Sequence, residues 1–155
     1  MHKKFLSKLS GKRQIIIPGV AFLFIGMLVW AIAGHKAACK IEISQLLKTR
    51  FSWDGALLPA YPKGQPEITI LRIIIPPGEA LVKHEHPVIN AGLLLKGELT
   101  IRTDSGKILY LKAGDAIAEV VNTWHYGKNE GRRPAEIVVF YAGIEGVPIT
   151  VYKPK

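Results

Sequence analysis

The chain has 155 residues, a formal net charge of +9 and a single cysteine, which suits one domain with an appendage and excludes an intramolecular disulfide. Residues 1–40 carry seven basic and no acidic side chains, whereas residues 41–155 carry 14 basic and 12 acidic ones, which are interspersed. Because a phosphate-binding surface needs clustered Lys and Arg, we expect no nucleic-acid partner.

The N-terminal part of the chain has the properties of a membrane segment. Residues 1–14 form a basic region, and residues 15–34 contain an apolar run without charged side chains. A helix of that length rises roughly 28 Å, close to the hydrocarbon thickness of a bilayer. Since basic residues are concentrated before the run, the positive-inside rule keeps the N-terminus in the cytoplasm and places the rest of the chain outside. We therefore predict a transmembrane signal-anchor helix over residues 15–34.

A cleaved secretory leader is the alternative for the same segment. Ala31-Ile32-Ala33 offers a small-x-small cleavage site, and Pro18-Gly19 shortens the helical part to the length of a signal peptide. We favour the uncleaved anchor, which gives a single-pass protein of the inner membrane with its C-terminal domain in the periplasm or outside. Cleavage would give a periplasmic or secreted protein. Lipidation at Cys39 is disfavoured, because Lys36 stands where such a signal has an aliphatic residue.

Residues 35–66 form a linker and an irregular packing segment. The first part, to about Thr49, is either a linker or a short helix, and prolines interrupt the remainder. The segment is too apolar for a solvated tether, so its large side chains pack on the domain, cover the mouth of a pocket or contact a second copy of the chain. These side chains are Phe51, Trp53, Leu57, Leu58 and Tyr61.

Residues 67–155 have the pattern of an all-β domain. Short runs rich in β-branched and aromatic residues are separated by glycine-containing turns, as in a β-sandwich or a small barrel. No long amphipathic helix is predicted in this part. The predicted strands are Ile68–Ile75, Ala80–His86, Ile89–Leu95, Glu98–Thr103, Lys107–Leu111, Ala116–Val121, His125–Lys128, Ala135–Ala142 and Ile149–Tyr152.

Three histidines are the strongest candidates for chemistry. His84 and His86 form a His-x-His pair, and alternation along a strand directs both side chains to one face. His125, on another predicted strand, can complete a trio. Neutral imidazoles suit divalent Fe, Mn, Co, Ni, Cu or Zn, whereas Ca and Mg prefer oxygen ligands. Structural hydrogen bonding in the core is the competing interpretation for each histidine.

The spacing around these histidines resembles the two motifs of the cupin family. The first motif runs glycine, five residues, His-x-His, three or four residues, glutamate, six residues and glycine. Its positions here are Gly78, His84, His86, Asn90 and Gly97, with Asn90 in place of the glutamate. The positions of the second motif are Gly114, Val120, Asn122, His125 and Asn129, with Val120 in place of proline and Asn122 in place of glycine. The resemblance covers about residues 67–145.

The resemblance implies a jelly-roll barrel that holds a divalent transition metal inside one end, through His84, His86 and His125. It also implies a homodimer, since cupin barrels commonly pair through β edges. The family glutamate is a fourth, anionic ligand, whereas Asn90 offers only a neutral carbonyl oxygen. Asn90 therefore either binds the ion through this oxygen or orients a water molecule or an imidazole from outside the ligand set.

Two further residues are weaker catalytic candidates. Glu119 precedes the position of the family proline, and its carboxylate would act as a general base or metal ligand if it faced the pocket. A strand carboxylate that faces solvent is the more common arrangement. Tyr126 follows His125 directly, where it either packs around the site or stacks on a substrate. Asn122 and Asn129 are expected to hold turns through bonds from side chain to backbone.

These features leave the function open between two classes. One is a metal-dependent enzyme outside the cytoplasm, a dioxygenase or an isomerase, whose open metal positions take a small-molecule substrate. The other is a non-catalytic cupin module of the cell envelope that captures a small ligand or contacts a neighbouring protein. The sequence has no nucleophile elbow, phosphate-binding loop or dinucleotide fingerprint, so a metal would be the centre of any catalysis.

Overall fold

The computed structural model describes residues 40–154, and the helix predicted over residues 15–34 lies outside this range. The compact unit Ile43–Lys155 contains nine strands. They are β1 (Pro66–Ile75), β2 (His84–Glu85), β3 (Ile89–Lys96), β4 (Glu98–Thr103), β5 (Ile108–Lys112), β6 (Ala116–Ala118), β7 (His125–Lys128), β8 (Ala135–Ile144) and β9 (Val151–Tyr152). Within the described range, no helix is long and apolar enough to cross a membrane.

The strands form two antiparallel sheets. The first has the order β1-β8-β3-β6, and the second has the order β5-β4-β7-β2-β9. Strands that follow one another in the chain therefore mostly lie in different sheets, as jelly-roll connections require. The predicted all-β jelly-roll architecture is confirmed.

The hydrophobic core is built from residues of both sheets. Leu94 of β3, Ile101 of β4 and Ile137 of β8 belong to it, and none of them is more than 3% exposed. Along β3 the buried positions alternate, so Asn90 faces the same side as Leu94. The strand that contributes a core leucine thus also places a polar amide in the interior.

Most strand bounds agree with the predicted ones, and those of β4 and β7 are identical to them. The predicted strand Ala80–His86 is shorter, since only His84–Glu85 forms a strand and Ala80 makes an isolated bridge with Lys128. Within residues 40–49 no helix is formed, so the short helix that was one alternative for this stretch is absent from that range.

Residues 50–58 form a small turn that packs on the domain. Phe51 and Leu57 make an isolated antiparallel bridge, and they remain 47% and 68% exposed. Between them, the backbone N–H of Trp53 donates to the carbonyl oxygen of Ala118 at 2.9 Å, and its side chain packs against the core. Packing on the domain is therefore confirmed for Trp53.

Gly97 joins β3 to β4 with a φ of 74°, and a Cβ atom there would lie 2.6 Å from the carbonyl oxygen of Pro134. We expect Gly97→Ala to lower the free energy of unfolding by about 3 kcal/mol, because backbone strain and a steric clash combine. Gly106 also has a positive φ of 85° but no atom within 4 Å of an added Cβ. Gly106→Ala should therefore cost only about 1 kcal/mol. Urea denaturation measures both, and equal losses would contradict the role assigned to the clash.

Candidate metal centre

Two strands of the second sheet bring the three histidines together. His84 in β2 and His125 in β7 are register partners, and His86 follows directly after β2. The ring centroids are 4.5 Å apart for His84 and His125, 4.8 Å for His84 and His86, and 5.1 Å for His86 and His125. All three side chains are buried. The His-x-His pair and the distant histidine therefore meet as predicted.

Each imidazole is oriented by a backbone carbonyl group that lies close to its Nδ1 atom. The pairs are His84 with Val82 at 2.6 Å, His86 with Ile149 at 2.8 Å and His125 with Thr123 at 2.8 Å. A carbonyl oxygen only accepts hydrogen bonds, so each Nδ1 carries a proton and donates it. In the neutral rings, the lone pair of each Nε2 is then free to bind a metal.

Burial keeps the three imidazoles neutral. Desolvation lowers the pKa values of His84 and His125 below the usual value, and it lowers the pKa of His86 to about 3. The hydrogen bond to Ile149 opposes the change at His86, whereas the two neighbouring imidazoles add to it. At neutral pH the site therefore presents three uncharged nitrogen donors.

This donor set fits a divalent transition metal. The ligand atoms of His84, His86 and His125 all lie within 4.8 Å of one another. Imidazole suits borderline metals such as Fe, Co, Ni, Cu and Zn better than it suits Ca or Mg. The three histidines are thus positioned to bind a metal ion, which would act there as a Lewis acid.

Two buried polar side chains that line the same cavity have atoms without a hydrogen-bond partner within the described range. Asn90 is 1% exposed, and neither its amide nitrogen nor its oxygen is bonded to any residue that the structure describes. Glu119 is 7% exposed, and its Oε2 lies 3.8 Å from Nε2 of His125, also without a hydrogen-bond partner among residues 40–154. Because buried polar groups are nearly always satisfied, these atoms indicate a space that an ion, its waters or a ligand fills.

Glu119 is buried. The expectation that its carboxylate faces solvent, the more common arrangement on a strand, was therefore wrong. Desolvation raises the pKa of Glu119 to about 7, opposed by the indole N–H of Trp53, by the His84 imidazole and by the backbone N–H of Val120. The Trp53 indole nitrogen makes no hydrogen bond within the described range, so it lies near the carboxyl group without a formed bond. The carboxyl group is therefore held in the interior with little compensation.

The tyrosine that lines the cavity is Tyr141 of β8 and not Tyr126 of β7. Tyr126 lies between two buried residues of β7 and faces the opposite side, away from the cavity. Tyr141, which was not among the predicted site residues, is the register partner of Asn90 and packs edge-on against His86 at 5.3 Å between ring centroids. Burial raises the pKa of Tyr141 to about 12. The signal that could have identified it was the period of two along β8, which buries Val139 and Tyr141 on one face.

A cavity of about 40 Å³ lies between these residues. Its apolar wall includes Leu81, Ile101 and Val139, and its polar side holds the three histidines with Asn90 and Glu119. Among residues 40–154, no lysine or arginine lines it. Any positive charge inside the cavity would therefore come from a bound ion.

The two asparagines of the second motif stabilise turns beside the site. The Asn129 amide donates to the carbonyl oxygens of Ile75 at 2.9 Å and Arg133 at 2.8 Å, as expected of a turn-holding side chain. Asn122 has a φ of 50°, and its backbone N–H donates to the carbonyl oxygen of His86 at 2.9 Å. At Asn122 the contact is thus made by the backbone and not by the side chain.

Residues 71–141 match the family model described as the cupin domain. The chain has a cupin fold. The match lies within the stretch for which the sequence motifs predicted this resemblance, and it spans both motifs. No curated protein sequence matches the chain.

Solved structures are similar to this chain. A conserved protein with a double-stranded β-helix domain from Klebsiella pneumoniae aligns with a TM-score of 0.50 and 23% identity, over 70% of this chain and 100% of that one. A DMSP lyase from Ruegeria pomeroyi aligns with 0.49 and 20%, over 56% and 43% of the two chains. The oxalate decarboxylase of Lactobacillus farciminis, in a formate complex, gives 0.48 and 19%, over 55% and 26%. The chain spans less than half the length of both enzymes, and at these identities the likeness concerns the fold alone.

Proposed function

We propose that this protein is an exported, membrane-anchored cupin that holds a divalent transition metal at His84, His86 and His125 and binds a small molecule at the ion. One observation carries the proposal. Three buried imidazoles each donate Nδ1–H to a backbone carbonyl, so that three Nε2 donors meet in one cavity. Histidines that were only structural would not need to share this tautomer and this cavity.

The cavity supports a small molecule as the second partner. Its volume of about 40 Å³ leaves room for an ion with about three waters, or for the polar end of a small molecule in place of those waters. The apolar wall can cover a hydrocarbon portion, while the amide of Asn90, which has no partner among residues 40–154, can bond to a polar group. An ion held by few protein ligands keeps open positions, as catalytic metal sites do, and this favours a metal-dependent oxygenase or isomerase.

A non-catalytic module is the second candidate function. It would capture a small ligand or serve as a structural unit of the cell envelope. The observation that favours it is Asn90, since a neutral amide stands where the cupin motif has an anionic ligand. A weaker charge at this position makes loss of the ion, and of metal chemistry, easier.

The remaining parts of the proposal concern location and assembly. The uncharged run within residues 15–34 and its basic flank support a single inner-membrane span with the cupin domain in the periplasm or outside. A homodimer is supported by β1, which is an edge strand of the first sheet and carries exposed Ile68, Ile70 and Ile74.

Metal analysis of the full-length protein tests the proposal. The chain is purified in detergent without a polyhistidine tag, because a tag would bind metal itself. We expect about one divalent transition-metal ion per chain by elemental mass spectrometry, and the mass of two chains by light scattering. Oxygen uptake and product analysis with thiols, enols and sugars then separate an enzyme from a binding module. A chain that stays substoichiometric after incubation with Fe, Co, Ni and Zn would contradict the metal site.

A further inference from the structure

We propose that Glu119 supplies the anionic ligand of the metal centre, and that it replaces from β6 the carboxylate that Asn90 on β3 lacks. This inference rests on the proposed metal site and adds a fourth protein ligand to it. It assigns a role to a buried carboxyl group that the three-histidine set alone leaves without one.

The two positions face each other across a strand pair. Ala91 and Ala118 are register partners in β3 and β6, and the backbone N–H of Glu119 donates to the carbonyl oxygen of Asn90 at 3.1 Å. Both side chains are more than nine-tenths buried and both line the cavity. A carboxylate moved from position 90 to position 119 therefore stays on the same part of the cavity wall.

The position of the carboxyl oxygen suits a shared ion. Oε2 of Glu119 lies 3.8 Å from Nε2 of His125. Two ligand atoms that bind one ion at about 2.1 Å each are at most about 4.2 Å apart. The carboxyl oxygen and the imidazole nitrogen can thus contact the same ion without a change in the backbone.

Charge compensation also supports Glu119 as a metal ligand. A buried carboxylate without a hydrogen bond or a cation is strongly disfavoured. Oε2 has no hydrogen-bond partner among residues 40–154, and no lysine or arginine from that range lines the cavity. A divalent ion at the histidines would supply the missing positive charge, and the carboxylate would in turn halve the net charge of the ion. The Trp53 indole N–H, also unpaired within the described range, lowers the pKa of Glu119 and so favours the charged carboxylate.

The test is metal titration of the full-length, untagged protein with Co²⁺ and Zn²⁺. We expect Glu119→Gln, which keeps the shape but not the charge, to weaken binding about 10- to 100-fold and to change the visible absorption of bound Co²⁺. Glu79→Gln, an exposed glutamate, is the matched control and should bind like the parent. The double variant Asn90→Glu/Glu119→Gln returns the carboxylate to β3 and should recover most of the affinity.

The outcomes separate this inference from the metal site itself. A parent protein that binds no metal overturns the proposed function and this inference with it. A parent that binds metal, with Glu119→Gln equal to it in affinity and in cobalt spectrum, overturns this inference alone. If Glu119→Gln does not fold, Glu119→Asp takes its place. Weaker binding by Glu119→Asp supports the inference, and unchanged binding and spectrum overturn it.

Discussion

We expect His86→Ala to weaken metal binding by roughly 100- to 1,000-fold. The substitution removes one of three nitrogen donors, and structural Zn sites gain on the order of 3 kcal/mol from each of their ligands. His86 is well suited to this test because it is 4% exposed and its Nδ1 is held by the Ile149 carbonyl, so its Nε2 is the atom available to an ion. Titration with Zn²⁺ and Co²⁺ in competition with a chelator of known affinity measures the effect.

Tyr126→Phe is the matched control for His86→Ala. Tyr126 adjoins His125 in the sequence but faces away from the cavity, so metal affinity should stay within a factor of about two. Thermal unfolding of both metal-free variants separates loss of a ligand from loss of the fold. If metal-free His86→Ala is folded and still binds Zn²⁺ as tightly as the parent, the three histidines do not form the site.

We expect the metal-free protein to lose stability as the pH falls from about 6.5 toward 3. In the unfolded chain, histidine takes up a proton near its usual pKa of 6.5, but burial lowers the pKa of His86 to about 3 and also lowers the pKa values of His84 and His125. Below pH 6.5 the unfolded state therefore binds more protons, and the free energy of unfolding falls. His86 alone should account for a loss of about 2 kcal/mol at pH 5.

Glu119 changes the free energy of unfolding with pH in the direction opposite to the three histidines. Its pKa rises from 4.5 to about 7 on folding, so the folded state holds the proton in a range where the unfolded state releases it. The stabilising contribution of Glu119 to the free energy of unfolding is fully present below pH 4.5 and is lost as the pH rises through 7. One carboxyl group opposes three imidazoles, so the net stability should still rise from pH 4.5 to 6.5 and then decrease slightly.

Urea denaturation of chelator-treated protein between pH 4.5 and 7.5 measures this profile. Glu119→Gln should steepen the rise below pH 6.5 and abolish the decrease above it, because only the imidazoles remain. If the free energy of unfolding of Glu119→Gln does not change between pH 4.5 and 6.5, the imidazoles are accessible to protons in the folded state.

The strand pattern was readable because its cause is local. Glu98–Thr103 and His125–Lys128 were predicted with the observed bounds, since glycine-containing turns border the first and alternation of buried and partly exposed residues marks the second. The meeting of His84, His86 and His125 followed from motif spacing, which depends on the number of residues between strands. The strand Ala80–His86 was predicted too long, because a single bridge from Ala80 to Lys128 does not make a ladder.

Glu119 could not be placed from the sequence because it lies just after β6 ends. Beyond a strand end the period of two no longer determines the face, and the backbone bond from Glu119 to Asn90 decides it instead. The indole beside the carboxyl group comes from Trp53, whose backbone N–H is bonded to Ala118. No periodic pattern relates these two distant parts of the chain.

Composition, alternation and motif spacing were therefore sufficient for the class of fold, the strands and the three nitrogen donors, since each depends on neighbours along the chain. The surroundings of those donors are determined by how the two sheets pack, and the sequence did not predict them. Burial of Glu119, the inward-facing Tyr141 and the Asn90 amide all depend on which strands lie side by side and on what covers them. Desolvation and cross-strand contact are properties of packing, and they determine the charge of this cavity.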